Sequence, residues 1–264
     1  MNIHIKNQQE INKMRISGYL AGEVLRKIEP YVIPGTTTEK LNQICHNYII
    51  QKKAIPGCLG YLGFPSSICI SVNEIACHGI PNKNKKLNNG DIVNIDVTVI
   101  KNQYYADTAK MFIVGKTHKI AYELCQVAKK SLYRTFPVIR PGLPISIIGQ
   151  TIQNYVNTTP FSIVKEYCGH GIGTTFHEQP YILHYNYHEN KVFFKPGMIF
   201  TIEPIINAGN KEVFCMDDNW TICTKDYSLS AQYEHTVLVT ENGCEILTKR
   251  KNEKIQKIYF NKKK

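Results

Sequence analysis

The spacing of apolar residues divides the chain into helical and extended stretches. Residues 9–28 carry Ile11, Met14, Leu20, Val24, Leu25 and Ile28 near a 3.6-residue repeat, which predicts an amphipathic helix ended by Pro30 and Pro34-Gly35. Thr36 with Glu39 offers a capping box for a second helix, on which Leu41, Ile44, Cys45, Tyr48 and Ile49 share one face. Residues 118–134 and 146–155 read as two further helices. Elsewhere the period falls to two. Residues 92–100 alternate between polar and β-branched side chains, and residues 103–114 read as the returning strand of a hairpin turned at Lys101-Asn102. Further strands are expected at 67–72, 161–167 and 230–239, with another hairpin at 213–223 around Asp217-Asp218-Asn219.

The hairpin carries a charge conflict. With a two-residue loop at Lys101-Asn102, Asp96 faces Asp107. Asn94, Asp96 and Thr98 share one face, while Val93, Ile95, Val97 and Val99 share the other. Paired carboxylates at a partly buried site are unfavourable unless one is protonated or a cation lies between them. An exposed polar edge is the plain alternative, and the hairpin by itself leaves both open. A second copy of the pattern exists. Gly90-Asp91-Ile92-Val93-Asn94-Ile95-Asp96 and Gly197-Met198-Ile199-Phe200-Thr201-Ile202-Glu203 both read Gly-x-Ile-x-x-Ile-acid, which suggests two related halves.

Composition narrows the class. The chain has 264 residues and an ordinary apolar fraction of 43%. No run approaches the ~18–20 apolar residues of a membrane span. The N-terminus lacks the apolar core of a signal peptide, and nine cysteines occur without a CxxC spacing. These features predict free thiols and a cytoplasmic location. The net charge is +11, but residues 249–264 hold eight Lys/Arg against one Glu. We therefore expect a catalytic domain over 1–250 and a solvated basic tail over 251–264. Contact of that tail with ribosomal RNA or another polyanion is the functional alternative. No specific DNA contact is expected.

Several loops carry chemistry. Residues 56–65 are rich in Gly and Pro yet hold Cys58, Tyr61 and Phe64, as a loop lining a pocket would. His78 stands in the turn-like Cys77-His78-Gly79-Ile80-Pro81. His170 is flanked by glycines in Gly169-His170-Gly171-Ile172-Gly173, which lets the backbone approach a ligand closely, although no phosphate-loop Lys-Ser/Thr follows. His177 comes after Phe176. Asp96, Asp107, His170, Glu203 and Glu234 each lie on or beside an expected strand. Such a set of carboxylates and one imidazole suits a pair of divalent ions roughly 3.5–4 Å apart. Spacing alone leaves their convergence open.

On Asn73-Glu74-Ile75-Ala76-Cys77-His78-Gly79-Ile80-Pro81, Asp96 with Asp107, Gly169-His170-Gly171-Ile172-Gly173, Thr201-Ile202-Glu203-Pro204 and Gln232-Tyr233-Glu234-His235, the chain resembles the type I methionine aminopeptidases. The similarity runs from about residue 3 to residue 250. It implies the α/β "pita-bread" fold, two pseudo-symmetric halves with antiparallel strands inside and helices outside. It implies a dinuclear metal site in which Asp96 binds one ion, His170 and Glu203 the other, and Asp107 and Glu234 bridge. The metals would be Co, Mn, Fe or Zn, and some relatives add a monovalent cation near Asn73, Ile75 and Ser230.

The activity implied is removal of the initiator methionine from nascent proteins when the second residue is small. Metal-activated water would attack the first peptide bond. Glu203 would carry the proton, His177 would bind the substrate carbonyl, and His78 the peptide beyond the cleaved bond. Cys58, Tyr61, Phe64, Cys69, Phe176 and Trp220 would line the methionine pocket, sulfur and aromatic groups being good thioether partners. Phe64 stands where bacterial relatives often have Tyr. A monomer with transient ribosome contact is expected. Asn2 is large, so the protein is expected to keep its own Met1. The compact length, without an N-terminal zinc-binding extension or a long insertion between Glu203 and Glu234, points to the bacterial type. A proline-specific peptidase of the same fold is the second enzyme reading, but such chains usually carry an extra N-terminal domain. An RNA-binding homologue with a dead site is the non-enzymatic one.

Overall fold

The computed structural model of the chain describes residues 3–187, 191–251, 253 and 255. The expectations for Met1 and for residues 256–264 of the basic tail fall outside the described residues.

Helices α1 (Gln8–Ile28), α2 (Thr38–Gln51), α3 (Lys119–Tyr133) and α4 (Ile147–Val156) lie where the 3.6-residue repeat puts them. The caps differ from expectation. Asn7 closes a complete capping box with Glu10 at the start of α1. At α2 the cap is Thr37, whose Oγ1 accepts from the Lys40 N–H; no Thr36–Glu39 box forms. Thr36 is already committed to a turn through its N–H to the Ile33 carbonyl, whereas Thr37 has the extended backbone that a cap needs.

Each helix pair covers one sheet. Leu20, Val24, Leu25 and Ile28 of α1 and Leu41, Cys45 and Ile49 of α2 pack on Val93, Ile95, Val97 and Val99, the apolar face of the strand Ile92–Lys101. That strand pairs with Tyr104–Ile113 on one side, and with Cys69–Val72 and Ile55–Pro56 along the other. In the second half, Leu124, Cys125 and Ala128 of α3 and Ile148, Ile152 and Val156 of α4 pack on Phe200 and Ile202 of the strand Ile199–Ile202, and on Val237 and Val239 of His235–Thr240. The repeat read from the sequence is therefore structural. Gly90 and Gly197 both have left-handed backbone, at φ 100° and 87°, and a strand begins two residues after each. Apolar faces turn outward to the helices, so the polar faces, with Asp96 and Glu203, turn inward towards each other.

The hairpin register differs from the expected one by two residues. Lys101 pairs with Tyr104, so the turn is Asn102-Gln103, and Asp96 faces Ala109 while Asp107 faces Thr98. Both turn residues have positive φ, 53° and 70°, as a type I′ hairpin requires. Asn tolerates that conformation better than Lys, which moves the turn one residue along. Because side chains alternate with period two, a shift of two keeps both aspartates on the same face, as diagonal neighbours.

Two other strands are shorter than expected. Only Ser162–Ile163 of residues 161–167 enters a sheet, because its partner Ile205–Asn207 is just three residues long. The segment from Ser230 is split into Ser230–Gln232 and His235–Thr240, with Tyr233 and Glu234 in the break. There the two halves are stitched together. The Asp107 N–H donates to Thr236 Oγ1 at 3.1 Å, whose hydroxyl donates back to the Asp107 carbonyl at 2.8 Å. The Glu234 N–H donates to the Ala109 carbonyl at 3.0 Å, and Asn94 Nδ2 to the Gln232 carbonyl at 2.9 Å.

Candidate metal centre and substrate cavity

The inward faces of the two halves meet at a cluster of acids. One ligand atom each from Asp107, His170 and Glu234 lies within 4.8 Å of the others. Glu203 Oε1 is 3.6 Å from His170 Nε2. Asp96 joins from the hairpin and lines the same cavity as Asp107, His170 and Glu203. All five residues expected as metal ligands are thus brought together from three places: the hairpin, the strand Gly169–Gly171, and the break between Glu203 and Glu234.

The neighbours aim these groups. Thr98 Oγ1 donates to Asp107 Oδ1 at 2.9 Å, and Thr201 Oγ1 donates to Glu203 Oε1 at 2.7 Å. Thr201 Oγ1 also accepts from the His170 N–H at 3.0 Å. His170 Nδ1 lies 2.9 Å from the Gly171 carbonyl, so the ring donates there and leaves Nε2 as the free lone pair turned to the acids. The Glu203 N–H donates to His184 Nε2 at 3.1 Å.

These residues fit a cationic occupant. Asp96 Oδ1 and both oxygens of Glu234 are buried without any hydrogen-bond partner, and buried carboxylate oxygens are costly to leave so. Burial, reinforced by the neighbouring acids, pushes Asp96 and Glu234 well above the usual carboxylate range. Burial raises Glu203 to about 8 and Asp107 to about 6. Burial also holds His170 neutral, at about 3, which is the form that binds a metal. When ionised, the four carboxylates carry the charge that two divalent cations neutralise.

Beside the acids lies a cavity of about 250 Å³. Its wall contains all six residues expected for the methionine pocket: Cys58, Tyr61, Phe64, Cys69, Phe176 and Trp220. Phe64 is buried and meets the Trp220 ring edge-on, 5.1 Å between centroids. Both histidines open into it. Tyr61 OH is 2.7 Å from His177 Nδ1, and the His177 ring stacks on Phe176 at 4.3 Å. His78, with left-handed backbone at φ 55°, packs edge-on against Tyr167 and Trp220. Burial lowers His78 to about 4 and lowers His177, so both are neutral near pH 7. Asn73 and Ser230 also meet: the Ser230 N–H donates to the Asn73 carbonyl at 2.8 Å. The nine cysteines are free thiols, as their spacing implied.

Sequence reasoning missed four supporting residues. Thr98 and Thr201 lie on the acidic faces it identified, and only their hydrogen bonds reveal them. His184 is buried with no local pattern around it. Leu62 joins the cavity wall from the 56–65 loop already expected to line a pocket, between two of the residues singled out there.

Inward acids, a free imidazole nitrogen and an adjoining cavity walled by thiols and aromatic rings are the arrangement of a metallopeptidase. The comparisons agree. The model of metallopeptidase family M24 matches residues 12–241. A methionine aminopeptidase of Buchnera aphidicola subsp. Schizaphis graminum is 61% identical over 262 residues, covering 99% of this chain and 100% of the relative. The methionine aminopeptidase of Escherichia coli K12 is 55% identical over 259 residues, 98% of both chains. The crystal structure of methionine aminopeptidase from Rickettsia prowazekii superposes with a TM-score of 0.92 at 47% identity, covering 94% of this chain and 100% of that one. The chain belongs to the methionine aminopeptidases of metallopeptidase family M24, and its fold is the pita-bread fold. It is a metal-dependent aminopeptidase. No helix among the described residues is long and apolar enough to cross a membrane.

Proposed function

We propose that the protein removes the initiator methionine from nascent chains whose second residue is small, using two divalent ions. The observation that carries this reading is the placement of the five-residue acid and imidazole cluster at one end of a cavity walled by two thiols and four aromatic rings.

Asp96 would hold one ion, His170 and Glu203 the other, with Asp107 and Glu234 shared. Divalent ions so held would lower the pKa of a water towards ~7 and polarise the peptide carbonyl. The remaining work belongs to the chain. Glu203 accepts the proton of the attacking water and passes it to the leaving amine. His177, held by Tyr61, donates to the oxygen of the scissile carbonyl. His78 hydrogen-bonds the peptide beyond that bond. The rings of Phe64, Phe176 and Trp220 and the sulfurs of Cys58 and Cys69 receive the thioether and keep water from it. Phe64 contributes no hydroxyl, so thioether recognition here rests on contact. The free α-amino group is the partner of the ion that Asp96 would hold, which restricts cleavage to N-termini.

The finer assignments are of the same kind. The catalytic domain spans 1–250 with a basic tail over 251–264, but the start of that tail is not solvated: Glu253 pairs with His235 and Arg250, and Ile255 packs on the core of the second half. The enzyme works as a cytoplasmic monomer in transient contact with the ribosome, with Co, Mn, Fe or Zn as its metal. The Asn73–Ser230 contact near Ile75 supports a monovalent cation there.

Hydrolysis of Met-Ala-Ser alongside Xaa-Pro peptides, with metal content measured on the same preparation, tests the reading. Release of methionine that EDTA abolishes and a divalent ion restores is expected. Preference for Xaa-Pro peptides would favour the proline-specific reading, and a metal-replete protein without hydrolysis would overturn both.

A further inference from the structure

The turn Tyr61–Gly63 stands at the cavity mouth in an unusual conformation. Gly60 and Gly63 have φ of 80° and 87°, which glycine tolerates, but Leu62 between them has φ 47° and ψ 29°. A bulky residue in the left-handed region is an outlier. Leu62 is also 80% exposed, more than any other large apolar side chain among the described residues. A single exposed leucine is ordinary. An exposed leucine held on strained backbone at the edge of an active cavity is not, because both features cost stability and neither contributes packing. Its two flanks are anchored. Tyr61 is tied to His177, and Phe64 is buried against Trp220. The loop therefore presents Leu62 at a fixed place on the rim.

We propose that Leu62 determines specificity beyond the cleaved bond, forming an apolar rim that receives the third residue of the substrate. This rests on the methionine-removal reading above. With methionine in the cavity, the scissile carbonyl at His177 and the following peptide at His78, the chain beyond the cleaved bond runs along the wall that His177, His78 and Leu62 share. The second residue is small and reaches little, so the third is the first side chain long enough to touch the rim. Substrates with an apolar third residue bury Leu62; those with an acidic one leave it wet.

The holoenzyme and its Leu62→Asn variant, compared on Met-Ala-Leu-Ser and Met-Ala-Asp-Ser, test the idea. Asn adopts left-handed backbone readily, so the variant is expected to melt at the wild-type temperature or higher. Wild type is expected to prefer Leu to Asp at the third position in kcat/KM. The variant should lower that preference about fivefold, the effect of burying roughly half a leucine side chain. An unchanged preference would overturn the proposal. So would a melting temperature several degrees lower with equal losses on both peptides, since Leu62 would then be a packing residue. If wild type cleaves neither peptide, the methionine-removal reading fails and the rim role fails with it.

Discussion

Glu203 and Glu234 face each other across a gap in one antiparallel ladder. His235 pairs with Ile202 on one side of the gap and Gln232 with Ile205 on the other, in one unbroken register. That register sets Glu203 opposite Glu234 although neither is in a strand. Their backbone N–H groups instead bond to His184 and Ala109. A regular ladder would hold both residues to its own pleat. The gap frees them to turn into the cluster while the strands on either side keep them in place.

Removing metal should make stability fall with pH between about 6.5 and 8. Burial raises Glu203 from 4.5 to about 8, so over that interval the folded metal-free protein holds a proton that the unfolded chain has released, and stability declines as pH rises. Asp96 and Glu234 act in the same direction. The buried neutral histidines His78, His170 and His184 act oppositely, but the unfolded imidazoles lose their last protons by about pH 7.5, so this opposing rise fades across the interval and the three carboxyls outweigh it. Melting temperatures of EDTA-treated protein at pH 6.5 and 8 check the sign, and an added divalent ion should abolish the decline. A flat profile without metal would contradict it.

Glu203→Gln should separate fold from function. The substitution removes a buried charge and is expected to raise the melting temperature of metal-free protein at pH 8. It should also weaken metal binding and reduce turnover by at least ~10². Calorimetric metal titration beside a thermal melt reads both effects.

Thr98→Val should weaken metal binding by about 10–100-fold while leaving the protein folded. Thr98 touches no expected ion, but its hydroxyl donates to Asp107 Oδ1, and such supports commonly carry that much affinity. Titration of the metal-free variant with a divalent ion, compared with wild type, measures the change.

His177→Ala should cost ~10²–10³ in kcat/KM on Met-Ala-Ser, the usual loss for one donor to a developing oxyanion. Tyr61→Phe should cost about tenfold, because it removes only the hydroxyl that orients His177. Equal effects of the two variants would assign the donor role to Tyr61.

Gly18→Ala should destabilise the fold by about 1–3 kcal/mol. A methyl group at that position of α1 would sit 2.5 Å from the Leu247 carbonyl oxygen, with backbone on both sides of the contact. Urea unfolding gives the change directly.

Local pattern went far in this chain because both of its periods are clean. Val93, Ile95, Val97 and Val99 declared which face of the hairpin meets helices, and hence which face holds Asp96. Leu41, Cys45 and Ile49 did the same for α2. The repeat at Gly90 and Gly197 announced two halves before any fold was known. The errors were local as well. The turn moved to Asn102-Gln103 because left-handed backbone, invisible in an apolar pattern, decides a two-residue loop. The cap moved to Thr37 because Thr36 was already hydrogen-bonded.

By itself the sequence determined the elements, the inward face of each strand and the residue types able to hold a metal. Those depend on side-chain alternation and chemistry that every residue carries with it. Only the tertiary structure decided that Asp107 and Glu234, far apart in the chain, come within reach of one ion. It also decided that the strand after Ser230 breaks at Glu234, that His184 supports Glu203, and that Leu62 stands strained at the cavity mouth. The reason is physical: each of these depends on a partner contributed by the other half of the molecule or by a distant loop. No local periodicity encodes which partner a backbone N–H or a buried carboxylate will find once the two halves close.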